Sequence, residues 1–589
     1  MRRLAILVLC VFVTTVAFVS ASGVQDAAQV EVMREDTVIF DLAGSRVSAF
    51  ELWNPYVPGH RRDQGFHQAV IEPLFMSNLL TGEIEPWLGA EMTPNDTLDS
   101  WTLRLQEGVT WSDGEPFSAD DVVFTIEMLL DNAPELSYSA AMVDWVAAVT
   151  KVDDLTVRFN LTRPNPRFQL DYFAVKIWGS VSIVPKHIWQ DQDPLTFTNY
   201  DPSRGWPVFT GPYTVTSVSE TEFIYDRDED WWGAKAGFKP LPEPLRLVWI
   251  FVGPEETRTA LTADDQIDSL HDISLGAFEA LQRRNPNVIA WYSEMPYAHI
   301  EPTCTRTLEF NTAIEPWSDP TLRWAVNHAI DRAEIVRIAY EGTTVESRHF
   351  FPISDPLERL VDMLEDEGLY DEYPVTKHDP DLARELIESR GYSLGNDGYY
   401  YKDGQQLQLD IQTHEAYIEK IRWAQVVVEQ LQRVGINASA RTVAGGTWSE
   451  NNAFGRYEAS AGWQTCGSVS EPWSSLQQFS VQWLTPVGER APANIWRWSG
   501  ENAEAYSALV EEMGTLPIGD PRIDDLFLEA MTYWLPDLPV IPTTQARKLT
   551  PFVTTYWTGW PTSENRYTSP TTWWQNTHAI LHNLERANR

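Results

Sequence analysis

The residues that could carry chemistry in this chain are carboxylates and histidines, and their number and spacing argue against catalysis. Two carboxylates that flank a sugar bond would make a glycosidase, and Glu471 lies between Trp463 and Trp473. The chain has 84 acidic residues, however, so such a pair is expected by chance. His414 and Glu415 lack the second histidine of a helical zinc motif, and the sequence contains no Gly-x-Ser-x-Gly motif. We therefore predict no catalytic residue, no metal ligand and no cofactor.

The N-terminus is typical of a signal peptide. Arg2 and Arg3 precede an apolar run that reaches Val19, and the small residues before position 22 suit cleavage after Ala21. A membrane-anchoring helix is the alternative, but the apolar run is short for a bilayer span. We expect export to a periplasm or to the outer cell surface.

The charge of the chain limits its partners. Removal of Arg2 and Arg3 with the signal peptide takes the formal net charge from −40 to −42. A surface this acidic repels nucleic acid and anionic lipid headgroups. We predict a monomer that binds no nucleic acid.

The elements that must position any site are best marked between residues 101 and 127. Trp101, Leu103 and Leu105 alternate with polar residues at the period of a strand. Ser118 and Asp121 have the spacing of a capping box at a helix start. A strand, a turn and a helix with one packed face are predicted here, and all three have structural roles.

The second half of the chain carries further helix signals. Asp319 and Asp379 are each followed by proline, the order expected at an N-cap and the first helical position. Another helix is predicted over residues 417–434, ending at Gly435. Residues 258–281 also show helix-like spacing as one stretch.

Strands are predicted between these helices. They cover residues 305–311 and 538–547, and a hairpin over 399–409 turns at Asp403-Gly404. The alternation of strands and helices predicts an α/β fold with mixed sheets covered by helices.

One long ungapped pattern resembles a known family. The residues W-S-D-G-x-P-x-x-A-x-D-V-x-F run from Trp111 to Phe124, and the segments around 310–332, 379–392 and 429–435 repeat the resemblance. Together they resemble the peptide-type (family 5) extracellular solute-binding proteins of bacterial ABC importers.

The resemblance implies a two-lobed periplasmic-binding-protein clamp with an extra N-terminal subdomain, which encloses a ligand between its lobes and has no enzymatic activity. Lobe I would be discontinuous and built from both ends of the chain. The implied segments are the signal peptide (1–21), lobe I (22–57, 205–303 and 546–589), the subdomain inserted in lobe I (58–204) and lobe II (304–545).

The segment A-G-W-Q-T-C-G-S-V-S-E-P over 461–472 departs from the family pattern. Oligopeptide-binding members carry an aspartate here that binds the α-ammonium of the peptide. In this chain Gln464 and Thr465 look inserted, and Ser468 falls where the aspartate should be. Burial of an ammonium group without a carboxylate partner costs roughly several kcal/mol of desolvation free energy. The missing aspartate therefore argues against peptides with a free N-terminus.

The same resemblance suggests a disulfide bond. Cys304 and Cys466 remain after cleavage of the signal peptide, and an exported chain can pair them. They match positions that are bridged in some oligopeptide-binding members, so a Cys304–Cys466 bridge beside the cleft is expected. Two unrelated buried thiols are the alternative.

Tryptophan is the most common aromatic residue of the chain, with 26 Trp against 24 Phe and 21 Tyr. Sugar rings stack their C–H faces on indole and need only polar partners for their hydroxyls. Core packing is the alternative for each aromatic residue, and we adopt it for Trp231, Trp232 and Trp324. The expected ligand contacts, assigned by resemblance or by position on nearby loops, are Trp53, Asn54, Tyr138, Trp448, Trp463, Gln464, Ser468, Glu471 and Trp473.

The sequence therefore predicts the solute-binding component of an ABC importer that captures an oligosaccharide, with β-linked chains favoured, and delivers it to a membrane permease. An oligopeptide is the alternative ligand. A secreted glycoside-active enzyme is a less favoured alternative.

Overall fold

The computed structural model describes residues 32–42, 46–57, 64–177, 179–415, 417–462 and 467–588, without the side chains of 301–304. The predicted signal peptide lies outside these residues. The strands are β1 (Thr37–Asp41), β2 (Phe75–Ser77), β3 (Ile84–Pro86), β4 (Gly89–Pro94), β5 (Ser100–Leu105), β6 (Val146–Asp153), β7 (Thr156–Leu161), β8 (Ala174–Val175), β9 (Tyr213–Val218), β10 (Glu222–Arg227), β11 (Arg246–Ile250), β12 (Val288–Ile289), β13 (His299–Phe310), β14 (Ser393–Leu394), β15 (Tyr400–Lys402), β16 (Gln405–Gln406), β17 (Gln408–His414), β18 (Asn437–Val443), β19 (Ala459–Gly462), β20 (Val540–Lys548), β21 (Phe552–Val553), β22 (Trp557–Thr558) and β23 (Glu585–Arg586).

Helices alternate with these strands along most of the chain. They are α1 (Ala119–Asp131), α2 (Ser139–Trp145), α3 (Lys186–Trp189), α4 (Trp232–Lys235), α5 (Glu255–Ala263), α6 (Leu275–Arg284), α7 (Pro320–Ala329), α8 (Arg332–Ala339), α9 (Asp355–Asp366), α10 (Leu369–Glu372), α11 (Pro380–Ser389), α12 (Ile418–Arg433), α13 (Gly445–Phe454), α14 (Trp473–Leu476), α15 (Glu501–Thr515), α16 (Arg522–Asp537) and α17 (Thr577–Asn583). Short π-helical turns occupy Phe66–Val70 and Gln169–Phe173.

Lobe I is the part of the chain that carries the sheet β1-β11-β10-β9. Strand β1 pairs parallel with β11, and the remaining pairs are antiparallel. The core of this lobe joins distant segments, because Phe40, Trp249 and Phe552 pack in one cluster. Lobe I is therefore built from separate parts of the sequence, including its C-terminal region.

The subdomain carries the antiparallel sheet β4-β5-β7-β6 and the small sheet β3-β2-β8. Helix α1 packs on the larger sheet through Val122, Ile126 and Leu129, which are buried in the same cluster as Leu103 and Phe159. The predicted strand, turn and capped helix are confirmed at β5 and α1.

Lobe II carries the mixed sheet β18-β17-β19-β13-β20. Strands β18, β17 and β19 run parallel, whereas β13 pairs antiparallel with both β19 and β20. The long strands β13 and β20 begin or end beside lobe I, where His299 pairs with Lys548, and continue into the lobe II sheet. These two strands connect the lobes.

The helix starts predicted for lobe II are confirmed. Asp319 caps α7 by accepting a hydrogen bond from the Thr321 amide at 2.9 Å, and Asp379 caps α11 by accepting one from the Leu382 amide at 3.0 Å. The hairpin at Asp403 is confirmed by β15 and β16. The mixed α/β fold predicted from the sequence is thus confirmed.

Candidate ligand-binding site

Lobe I carries a group of aromatic residues near the C-terminus, here called the lobe I wall. The rings of Trp573 and His271 stack with centroids 3.7 Å apart. Trp573 and Trp574 are both buried and pack with Leu79 and Ile177 of the subdomain. The Lys548 ammonium, at the end of β20, lies 5.4 Å from the Trp573 ring centroid and 5.9 Å from that of Trp574. An indole surface and a cation thus meet at the junction of the lobes.

Lobe II carries a second aromatic group. Trp448 on α13 packs edge to face with His414 at the end of β17, with ring centroids 5.8 Å apart. His414 also packs against Tyr417, which precedes α12, at 4.8 Å. The Lys420 ammonium lies 5.3 Å from the Trp448 ring centroid and 5.4 Å from that of Tyr417.

Helix α13 is held over the sheet by amide side chains, which fixes the position of Trp448. Gln412 of β17 donates to the Asn452 side chain at 2.8 Å and accepts from the Asn451 side chain at 2.9 Å. All three side chains are polar and mostly buried, so their hydrogen bonds offset the cost of desolvation.

An ion pair lies beside each aromatic group. Arg306 of β13 binds Glu419 of α12 at 3.1 Å, and Arg547 of β20 binds Asp272 of lobe I at 2.7 Å. Burial acts to raise the pKa of Glu419, but the charges of Arg306, Lys420 and Lys548 together lower it. Charges from both lobes therefore stabilise one carboxylate where the lobes meet.

Two further buried groups of lobe II are shifted toward their neutral forms. Burial lowers the pKa of Lys420 well below its ordinary value. Burial also raises the pKa of Glu309 to about 8, although the Lys420 charge opposes the shift. Glu309 Oε2 has no hydrogen-bond partner among the described residues, and a Cβ at Gly462 would lie 1.7 Å from its other oxygen. Glycine at 462 leaves room for this carboxyl group.

Of the residues predicted to contact ligand, Trp53 and Asn54 have packing roles. The Trp53 side chain is fully buried, and its ring packs against Phe66, Tyr200 and Tyr225. The Asn54 amide donates to two backbone carbonyls and accepts from the Tyr56 amide at 2.9 Å. Both placements favour the core-packing alternative over ligand contact, because the polar atoms of both side chains are already bonded.

Glu471 and Trp473 join lobe II to the subdomain. Glu471 Oε2 lies 3.3 Å from a guanidinium nitrogen of Arg167, and its oxygens accept from the amides of Trp473 and Ser474. The Trp473 indole donates to the Val510 carbonyl at 3.0 Å, and its ring centroid lies 4.8 Å from the Arg167 guanidinium. These contacts make both residues part of a contact between lobe II and the subdomain, and their predicted contact with ligand stays a prediction.

The other predicted contacts are placed as follows. Tyr138 is half-buried and begins α2 with a φ of 67°, packed against the core of the subdomain. Ser468 is buried, and its hydroxyl accepts from the Ser470 amide at 3.1 Å. Trp463, Gln464 and Cys466 lie outside the described residues, so the Cys304–Cys466 bridge stays a prediction. Trp231 and Trp232 are buried and Trp324 is half-buried against the lobe II core, as the core-packing prediction required.

Sequence reasoning missed the lobe I wall. Trp573 and Trp574 follow three threonines and a proline near the C-terminus, without a motif that separates them from the many other tryptophans. The charged residues at the junction were also missed. Arg306, Lys548 and Glu419 lie far apart in the sequence, and only the fold brings the charges of Arg306 and Lys548 to the Glu419 carboxylate.

Within the described part of the chain, no group of three or more His, Cys, Asp or Glu side chains is placed to hold a metal ion. The described helices include none that is both long and apolar enough to cross a membrane.

Comparison with known proteins identifies relatives of this chain. A probable peptide-binding protein of Agrobacterium fabrum is 25% identical over 483 residues, which are 75% of this chain and 74% of the relative. The nickel-binding periplasmic protein of Escherichia coli is 23% identical over 66% of this chain and 68% of its own length.

Solved structures share the fold. The periplasmic oligopeptide-binding protein of an oligopeptide ABC transporter from Thermotoga maritima superposes with a TM-score of 0.81 at 24% identity, covering 94% of this chain and 99% of that chain. A second structure of that protein, with bound mannohexaose, gives a TM-score of 0.77, covering 95% of this chain and 100% of that chain.

The family assignment follows from a match that covers more than half of the chain. The profile of bacterial extracellular solute-binding proteins, family 5, matches residues 83–483. Members of this family are periplasmic or extracellular and deliver their ligands to an ABC permease. The chain belongs to family 5 of the bacterial extracellular solute-binding proteins and is the solute-binding component of an ABC importer.

Proposed function

We propose that this protein captures an oligosaccharide, with β-linked chains favoured, between lobe I and lobe II. The observation that carries the proposal is the pair of aromatic walls at the lobe junction, Trp573 with His271 on one side and Trp448 with Tyr417 on the other. Indole faces stack on the C–H faces of sugar rings. A ligand held by both walls stabilises the closed clamp, which is the state that a permease recognises.

The electrostatics of the junction fit a ligand without charge. Arg306 and Arg547 are each paired with a carboxylate of the protein. Burial raises the pKa of Glu309 to about 8, and a neutral carboxyl group can exchange hydrogen bonds with hydroxyl groups. The described residues at the junction thus offer hydrogen-bond partners for the hydroxyl groups of a ligand, and the ligand needs no charge of its own to bind there.

The chemistry at position 468 argues against a peptide ammonium. Ser468 is neutral, and its hydroxyl oxygen already accepts a hydrogen bond from the Ser470 amide. Trp448 and Trp463 are proposed as stacking platforms, with Tyr138, Gln464 and Ser468 as further contacts. The bound mannohexaose of the Thermotoga maritima protein supports a sugar ligand for a clamp of this fold.

An oligopeptide is the second candidate ligand. The carboxyl group of Glu309 has an unpartnered buried oxygen beside Gly462, and a cationic group of a ligand could pair with it. The relative from Agrobacterium fabrum, a probable peptide-binding protein, points the same way.

Isothermal titration with β-linked manno- and cello-oligosaccharides tests the proposal. Trp573→Ala and Trp448→Ala should each weaken sugar binding roughly tenfold, because each removes one stacking face worth about 1 kcal/mol or more. Trp483→Ala is the matched control, since the Trp483 indole donates to Gln477 within lobe II. Peptide binding with no response to sugars would overturn the proposal.

A further inference from the structure

A cavity lies where three parts of the molecule meet. Its volume is about 370 Å³, within the range of small-molecule sites. Leu80 of the subdomain, Trp291 and His299 of lobe I, and the start of α9 in lobe II all line it. Of the predicted ligand contacts that the structure describes, none lines this cavity.

Contacts between the lobes assemble the cavity. Arg566, near the C-terminus, binds Asp355 at the first position of α9 at 3.1 Å, and both residues line the cavity. Close by, the Ser470 hydroxyl of lobe II donates to the Gly82 carbonyl of the subdomain at 2.6 Å. The walls therefore belong to bodies that separate when the clamp opens, so a ligand in the cavity favours closure.

A buried nitrogen in the cavity wall lacks a partner. His299 is 5% exposed, and its Nε2 makes no hydrogen bond to any described residue. Its ring centroid lies 4.5 Å from that of Trp291, which holds the imidazole in place. Burial lowers the pKa of His299 to about 3, with the Arg566 and Lys548 charges acting in the same direction. The ring is thus neutral and can exchange a hydrogen bond with a hydroxyl group.

The cavity lies close to the lobe I wall. His299 pairs in register with Lys548, whose ammonium lies 5.4 Å from the Trp573 ring centroid. Leu79 packs with Trp573 and Trp574, and its neighbour Leu80 lines the cavity. One extended ligand can therefore contact both places.

We propose that this cavity binds one terminal sugar unit of an oligosaccharide whose other units occupy the central cleft. The inference rests on the proposed function and extends it. Trp291 and Tyr292 provide aromatic surface, and the carboxylates of Asp355 and Glu358 accept hydrogen bonds from hydroxyl groups. This unit offers a hydroxyl group to His299 Nε2, which bonds to none of the described residues.

The test is isothermal titration with β-1,4-linked manno-oligosaccharides of two to six units. The affinity of the wild-type protein should increase once the oligosaccharide is long enough for its last sugar unit to reach the cavity. His299→Phe and, separately, Glu358→Gln should reduce this increase by about 3- to 10-fold, the worth of one hydrogen bond. Neither change should alter binding of the shortest ligand. Asp366→Asn, at the exposed end of the same helix α9, is the matched control and should behave as wild type.

The outcomes separate the two claims. If sugars bind but the dependence on chain length is the same in wild type and both variants, the cavity holds only water, and the inference is overturned while the proposed function stands. If no oligosaccharide binds the wild-type protein, both are overturned. A crystal structure with mannohexaose provides a second readout that requires no variant, because a sugar ring must appear between Trp291 and α9.

Discussion

Glu72 shows how a single buried carboxyl group can fix tryptophan positions. It is 4% exposed, and its two oxygens accept hydrogen bonds from the indoles of Trp87 at 3.0 Å and Trp232 at 2.8 Å. Burial raises the pKa of Glu72 to about 7, against the opposing effect of these donors. Between pH 4.5 and 7 the folded protein keeps a proton that the unfolded chain releases. Glu72 therefore stabilises the fold most at low pH, and this stability falls as the pH rises toward 7.

Replacement of Glu72 by glutamine should depend on pH in a defined way. Glutamine has one oxygen for two indole donors, so Glu72→Gln should lower the free energy of unfolding at pH 5 by about 2 kcal/mol. At pH 8 the difference from wild type should shrink, because the wild type then carries a buried charge. Urea unfolding at both pH values measures this, with the exposed Glu91→Gln as control. An equal loss at pH 5 and pH 8 would show that Glu72 is charged throughout.

At the scale of single residues, the sequence predicted which residue types would form aromatic surfaces, but it did not predict which individual tryptophans lie in the core. The abundance of tryptophan predicted aromatic surfaces, and Trp448 lies on one of them. Trp53 was assigned to the ligand because it is next to Asn54 in a loop, yet both side chains are bonded inside the protein. Only three-dimensional packing separates a tryptophan of the core from one of the cleft.

At the scale of elements, helix α1 is fixed by its first turn. The Ser118 hydroxyl accepts from the Asp120 amide at 3.2 Å, and Asp121 accepts from the Ser118 amide at 2.9 Å. The other oxygen of Asp121 accepts from the Lys186 amide, also at 2.9 Å, at the start of α3. Asp121 therefore caps α1 and attaches the start of α3 to it.

The two capping residues should differ in their effect on stability. Ser118→Ala should cost about 1 kcal/mol, the usual value of a lost N-cap. Asp121→Ala should cost about 2–3 kcal/mol, because it leaves two partly buried amides unpaired. Thermal unfolding of both variants measures the difference. Asp131→Ala, at the exposed C-terminal end of α1, should change stability by less than about 0.5 kcal/mol. Equal losses for Ser118→Ala and Asp121→Ala would contradict the attachment to α3.

Elements with local signals were predicted well, and elements fixed by distant contacts were not. The caps of α1, α7 and α11 depend on residues within three positions, which the sequence displays. The stretch 258–281, predicted to have helix-like spacing, contains parts of α5 and α6 with a loop between them that was not predicted. In that loop Asp268 accepts from the Ile39 amide and binds Arg34, both at 2.8 Å. These partners lie more than 200 positions away, so no local pattern could reveal the break.

At the scale of the whole molecule, Arg167 connects the subdomain to lobe II. It is 1% exposed and donates to the carbonyls of Gly514 at 3.0 Å and Leu516 at 3.2 Å, at the end of α15. It also pairs with Glu471 at 3.3 Å. This buried guanidinium satisfies carbonyl groups that the helix end leaves open, so it holds the two bodies together.

Loss of this contact should favour the open clamp. Arg167→Met leaves the Glu471 carboxylate buried without its cation, a change that costs about 3–5 kcal/mol. Small-angle scattering of the ligand-free protein should then show a larger radius of gyration. The exposed Arg163, which binds Asp144 at 2.6 Å, provides the control variant Arg163→Met with unchanged dimensions. The double variant Arg167→Met/Glu471→Met should recover part of the lost stability, since no unpaired charge remains. Unchanged dimensions for Arg167→Met would mean that other contacts keep the clamp closed.

The overall architecture could be predicted because the pattern from Trp111 to Phe124 resembles a family with a known clamp. The contact between Arg167 and Glu471 could not, because about 300 positions separate them and Arg167 belongs to no motif. Glu471 was expected at the ligand as a polar residue of the segment 461–472. The limits of the segments assigned to the two lobes and the subdomain stay a prediction.

The central claim is that the ligand of this clamp is an oligosaccharide. The most direct test is a thermal-shift screen of the mature protein, refolded to remove carried ligand, against β-linked oligosaccharides and mixed short peptides. A ligand present at a thousand times its dissociation constant stabilises the fold by about 4 kcal/mol, so a true ligand gives a clear increase in melting temperature. We expect an increase with cello-, xylo- or manno-oligosaccharides and none with peptides. An increase with peptides alone would contradict the claim.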